Sequence, residues 1–174
     1  MNVVGKLATG LALTGITVFA GCRNDLSDST DVKCPSRTLY VKYVSELMDR
    51  RCGMLDCHGN DLRPMRLLGQ YGLRHQLEGN RVGEAASTDL EKSSNYFAVC
   101  SQEPDKMNDV VNDPGGNSVN TLLLVRKARG QEGHKGGKVF EPWDDADRCV
   151  VGWLRNDAEI SISKSCQAAL AKLP

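Results

Sequence analysis

The segment Arg50 to Asp61, RRCGMLDCHGND, gathers Cys52, Cys57 and His58 into seven consecutive positions. Two thiols followed directly by an imidazole suit a specific chemistry. The sulfurs can form thioether bonds to the vinyl groups of a porphyrin while the histidine takes one axial position on its iron. The usual spacing for such a haem c attachment is C-x-x-C-H. Here it is C-x4-C-H, so two extra residues must bulge between the thioethers. Gly53 supplies backbone freedom for that bulge, and Met54 or Leu55 could pack on the ring edge. Two other readings stand beside this one. Cys52 and Cys57 could close a disulfide across a four-residue loop, with His58 a surface neighbour. A zinc site is conceivable from the same S and N donors, although no second paired motif is present and an oxidising compartment disfavours thiolate clusters.

A six-coordinate haem iron needs a second axial ligand, Met sulfur or His nitrogen, from another part of the chain. His134, in GHKGGK, lies in a glycine-rich loop that permits close backbone approach and ranks first. Met107 is the alternative, with Met65 behind it. Each also has a plainer reading: His134 with Lys135 and Lys138 as a solvated basic turn, and Met107 as core packing. His75 reads as a solvated loop residue, and Trp153 and the first tyrosines as core. No Ser/His/Asp arrangement, phosphate loop or H-E-x-x-H sequence is present, so hydrolytic catalysis has no visible machinery and the chain reads as a non-enzyme.

The compartment decides what these cysteines mean. Lys6 precedes an apolar run, Leu7 to Ala20, too short to span a bilayer as a mature helix, which is the shape of a secretory signal. The run ends in VFAGC, which resembles the bacterial lipobox, where the signal is cut and the new N-terminal cysteine, here Cys22, acquires lipid. The expected organisation is a signal peptide over 1–21, a lipidated N-terminus and flexible tether over 22–35, and one domain over 36–174. Arg23 after the lipid cysteine gives no common inner-membrane retention signal; the anchored domain is expected to face the periplasm or cell surface, with the outer membrane an option. The 22 basic and 22 acidic residues balance, so bulk charge draws the chain to neither nucleic acid nor anionic membrane. Beyond Cys22 the cysteines are even in number. Cys34 precedes the first helix and Cys166 follows the last expected one, so the pairing expected is Cys34 with Cys166 and Cys100 with Cys149.

The elements that position these residues are helical. Leu39, Tyr40, Tyr43, Val44, Leu47 and Met48 form one stripe, predicting a helix from Pro35 or Ser36 to Arg51 that runs straight into Cys52. Residues 59–89 carry glycines and a proline between short apolar clusters and read as a long irregular loop. A second helix is expected over Asp89 to Cys100, capped by Ser87, Thr88 or Asp89. A third covers EPDKMNDVV, with Pro104 in its first turn. TLLLVRKA is a buried helix turn or strand, and DDADRCVVGWLRN is the last expected helix.

Together the stretches CGMLDCHG, RPMRLLGQYGLR, NYFAV, LLLVRKARGQEGHKGGKVF and CVVGWL resemble a cytochrome-c-like module of predicted bacterial lipoproteins, over residues 38 to 155. In such modules an H-x-G-G element recurs, which here falls on His134. The resemblance implies a small, mostly α domain that binds haem and transfers one electron at a time, with a redox partner protein. The competing expectation is a haem-free, disulfide-stabilised structural or binding lipoprotein of the same fold.

Overall fold

The computed structural model describes residues 31–173. The expected signal peptide, the expected lipid site Cys22 and most of the expected tether lie outside the described residues. The described residues form six helices and no strand, a mostly α domain. Helix α1 is continuous in three parts, α-helical Arg37–Leu39, a π-helical turn Tyr40–Val44 and α-helical Ser45–Cys52. Ser36 caps it, its side chain accepting the Leu39 N–H. The π turn rephases the helix so that Tyr40, Val44, Leu47 and Met48 are all fully buried. Helix α2 spans Asp89–Cys100, α3 Pro104–Asn112, α4 Leu123–Ala128, α5 Asp145–Leu154 and α6 Glu159–Leu170.

α2 starts where its chemistry dictates. Thr88 accepts the Glu91 N–H and Glu91 reaches back to the Thr88 N–H, a reciprocal capping box. TLLLVRKA resolves as a 3-10 turn, Ser118–Thr121, running into α4. Beyond the expected last helix, the chain turns at Asn156, which adopts a left-handed φ of 57°, and continues into α6. α5 and α6 form a tightly packed helical hairpin. Aromatic rings join three helices at the centre: Tyr40 of α1 lies 4.9 Å from Trp153 of α5 and 5.8 Å from Tyr96 of α2.

The disulfides correct the expected pairing. Cys34 bonds Cys100, and Cys149 bonds Cys166. The first fastens the chain entering α1 to the end of α2. The second staples α5 to α6, both sulfur-bearing residues being buried. The physical reason is the hairpin: α6 folds back on α5 and brings Cys166 under Cys149, far from the end-to-end bridge the sequence order suggested. Residues at the end of the presumed tether are also held, since the Lys33 N–H donates to Asn108 and the Pro35 carbonyl accepts from the Tyr96 hydroxyl. Two disulfides indicate an oxidising, extracytoplasmic setting. Among the described residues no helix is long and apolar enough to cross a membrane.

The long loop after His58 is organised by one buried guanidinium. Arg74 pairs bidentately with fully buried Glu91 at 2.8 and 3.0 Å and donates to the carbonyls of Arg81, Ala85 and Ala86. Burial pushes the Glu91 carboxyl up, but Arg74 and the N–H groups of His75 and Thr88 outweigh it, and the group stays below its ordinary value.

Replacing Cys149 and Cys166 together by alanine should cost about 3 kcal/mol in denaturant unfolding, the loop-entropy value for a closure of this length. Non-reducing peptide mapping should recover Cys34 with Cys100 and Cys149 with Cys166. Recovery of Cys34 with Cys166 would contradict the fold.

Candidate functional site

α1 ends by delivering Cys52 into a compact loop. The Gly53 N–H closes the helix on the carbonyls of Met48 and Asp49. The Cys57 and Gly59 N–H groups both donate to the Met54 carbonyl, and the His58 N–H returns to the Cys52 carbonyl at 2.8 Å. The C-x4-C-H spacing is therefore a closed turn, with Cys52 and His58 joined through the backbone. Met54 and Leu55, at its outer edge, are 45 % and 52 % exposed, so both apolar side chains face solvent.

Three glycines hold this turn against the following loop. A Cβ on Gly59 or on Gly72 would lie 2.0 Å from the Gly53 carbonyl oxygen, so neither position has room for a side chain. The Leu73 N–H donates to the Gly59 carbonyl and the Leu67 N–H to the His58 carbonyl, each at 2.8 Å. Close by, Asp49 is buried against Gly69, where a Cβ would meet its carboxylate at 2.1 Å. Its Oδ2 accepts from Ser87 Oγ and the Gln70 N–H, and burial raises its carboxyl above the ordinary value despite both bonds.

His134 comes from the other side. Buried Arg129, at the end of α4, pairs bidentately with Asp147 of α5 at 2.7 and 2.9 Å. Next to it, the Ala128 carbonyl accepts the N–H groups of Val139 and Phe140, closing the neck of the loop that carries His134. Arg51, adjacent to Cys52, reaches the Val139 carbonyl at 3.4 Å and links that neck to α1. The result is that the His58 and His134 rings lie with centroids 6.0 Å apart and planes within 16° of parallel.

Both imidazoles are set up alike. His58 Nδ1 lies 2.8 Å from the Met65 carbonyl and His134 Nδ1 lies 2.9 Å from the Gly137 carbonyl. A carbonyl only accepts, so each Nδ1 carries the proton and each Nε2 keeps a free lone pair. Burial holds His58 below the ordinary histidine pKa, and nearby His134 adds to this, although the Met65 bond works the other way. At neutral pH the ring is uncharged, the form that ligates metal.

The remaining candidates are placed as follows. Cys52 and Cys57 are free thiols, and the described structure joins neither to any other cysteine. Burial pushes the Cys52 thiol up to about 12, with Cys57 contributing, while Cys57 is raised by burial and by Asp56 beside it. Met107 is buried in the core on α3, and Met65 serves His58 through its backbone carbonyl. His75 is half-buried and caps the 3-10 turn Gln76–Glu78, its Nδ1 accepting the Leu77 N–H. It also lines a cleft of ≈ 530 Å³ with Arg66, Leu68 and Gln102, and no residue of the Cys52–His58 turn or of the His134 loop belongs to that cleft. The residues that sequence reasoning missed are Arg74, Arg129 and Asp147, isolated charges with no periodic signal. Gly59 and Gly72 were visible only as loop glycines. Among the described residues, no three His, Cys, Asp or Glu side chains gather closely enough to hold a metal ion by themselves.

The sequence matches no family model, no curated protein and no solved structure.

Gly59→Ala and Gly72→Ala should each destabilise by more than about 2 kcal/mol, while Gly133→Ala, where a Cβ meets nothing within 4 Å, should stay within about 0.5 kcal/mol. Denaturant unfolding measures both, and a Gly59→Ala protein as stable as the parent would contradict the crossing described. In haem-free protein at pH 8, alkylation followed by peptide mass spectrometry should label Cys57 faster than Cys52, whose thiol is pushed up to about 12. Equal labelling would contradict that difference.

Proposed function

We propose that this chain is an exported, lipid-anchored, c-type-cytochrome-like protein that holds a haem between His58 and His134 and passes single electrons to a partner protein. The observation that carries this reading is the pair of near-parallel imidazoles at 6.0 Å, each with its Nδ1 already engaged by a backbone carbonyl. The rings stack at that separation, and each would turn its free Nε2 toward the iron on binding the group.

Because a porphyrin would bring its own nitrogens to iron, the chain would need to add only His58 and His134. In this reading Cys52 and Cys57 provide the thioether sulfurs, which accounts for two unpaired thiols in a chain whose other described cysteines are oxidised. Met54 and Leu55, exposed at the loop edge, would cover the ring.

When bound, the haem supplies a one-electron couple at iron. The chain's own residues do the rest. The Met65 and Gly137 carbonyls fix each imidazole's tautomer. The glycine crossing fixes where His58 stands, and the neck at Ala128 fixes where the His134 loop begins. The lipid on Cys22 would keep the domain at a membrane surface, within reach of a redox partner.

Expression in a host with cytochrome c maturation machinery should give a protein that retains haem stain after denaturing electrophoresis and shows a low-spin Soret band. His134→Ala should change that low-spin spectrum. A folded, exported protein with no Soret band would favour the haem-free structural or binding lipoprotein, and an unaltered His134→Ala spectrum would move the second ligand to Met107 or elsewhere.

A further inference from the structure

The cleft of ≈ 530 Å³ beside α2 stands apart from the paired histidines and has a chemistry of its own. Its floor is rigid. Buried Asn95 of α2 accepts the Leu68 N–H at 2.7 Å and donates to the Leu68 carbonyl at 2.6 Å, so one amide fastens that residue on both sides. One turn earlier on the same helix, Glu91 holds Arg74 bidentately and also accepts the His75 N–H at 2.9 Å.

Two donors in the cleft are left unused by this framework. His75 Nδ1 accepts the Leu77 N–H, so the ring proton sits on Nε2, and among the described residues nothing accepts from it. Arg66 is exposed and, among the described residues, has neither a hydrogen bond nor an ion pair. No Asp or Glu of the described residues lines the cleft, and the charge of Arg74 is already matched by Glu91. Arg66 therefore gives the cleft its one unmatched positive charge among the described residues. The walls around it are apolar: Pro64, Leu68, Leu73 and Leu77, the last 86 % exposed at the rim.

We propose that this cleft binds a small organic monocarboxylate with an apolar body, its carboxylate on Arg66 and His75 Nε2 and its hydrocarbon over Leu77 and the neighbouring apolar wall. A guanidinium presents parallel N–H groups that match both oxygens of a carboxylate. A single unmatched cation suits a single negative charge, whereas a phosphate monoester, carrying up to about two, would bring one that the cleft does not answer. The volume falls within the ordinary range of small-molecule pockets, about 300–1,000 Å³. Because Asn95 and the Arg74–Glu91 pair set the floor before any ligand arrives, binding orders little beyond the exposed side chains of Arg66 and Leu77. The cleft works in this way with or without a haem, since it shares no residue with the Cys52–His58 turn or the His134 loop.

The probe is hexanoate, titrated into the purified, exported, isotope-labelled protein while backbone amide resonances are followed. Saturable shifts are expected at Leu68, His75, Leu77 and Ala98. Acetate, which keeps the charge without the hydrocarbon, and hexanamide, which keeps the hydrocarbon without the charge, should each bind at least ~10-fold more weakly. Arg66→Gln should weaken hexanoate at least ~10-fold and leave the unfolding midpoint unchanged, because this exposed side chain has no partner to lose. Leu77→Ser should weaken hexanoate at least ~3-fold and leave acetate unaffected. Hexanoate that shifts none of these amides overturns the proposal, as does an Arg66→Gln protein that binds it as tightly as the parent. Hexanamide binding equal to hexanoate, or inorganic phosphate binding more tightly than hexanoate, overturns it equally.

Discussion

The carbonyl oxygen of Gly53 occupies the space where a side chain on Gly59 or Gly72 would begin, 2.0 Å from either built Cβ. Three stretches of chain, the end of α1, the turn after His58 and the loop beyond Met65, cross at that point with only hydrogen atoms between their backbones. The Cys52–His58 turn inherits its position from this crossing. It sets the distance from Cys52 to His58, presents the Met65 carbonyl to the imidazole, and turns the two thiols into neighbours without joining them. A single methyl group at the crossing would separate the pieces.

The second half of the site depends on charge buried in the core. Arg129 and Asp147 are both almost inaccessible, and their bidentate pair locks the end of α4 onto α5. Removing one partner of such a pair costs about 3–5 kcal/mol, because the other is left charged and unpaired. Through the adjacent Ala128 carbonyl the same pair fixes the neck of the His134 loop. The Cys149–Cys166 bond and the α5–α6 hairpin brace α5 in turn. One histidine is thus set by close backbone contact and the other by a loop hung from a buried ion pair.

Much of the helical framework was legible because its signals are local. The stripe from Tyr40 to Met48 gave α1, and Thr88 with Glu91 gave the start of α2. α6 escaped because EISISKSCQAAL mixes serines and β-branched residues, masking the spacing of Ile162, Cys166 and Ala169, its buried positions. With α6 unseen, the hairpin was unseen, and the pairing of Cys149 with Cys166 could not be inferred from sequence order. Arg74 was equally opaque: a lone arginine in a glycine-rich loop carries no mark of burial, yet it organises that loop. At the site, the order of Cys52, Cys57 and His58 was readable as a motif. His134 was singled out by its glycine-rich H-x-G-G element, whereas the Arg129–Asp147 pair and the Ala128 neck that carry it toward His58 were not legible.

The proposal is chemical: Cys52 and Cys57 would carry a porphyrin through their sulfurs, with His58 and His134 as its iron ligands. The most direct measurement is the intact mass of the exported, matured protein, taken under denaturing and non-reducing conditions with peptide mapping of residues 52–58. The account predicts the mass of one covalently attached haem, carried on the peptide that contains both cysteines. A peptide in which Cys52 and Cys57 are bonded to each other, with no added haem mass, would contradict it.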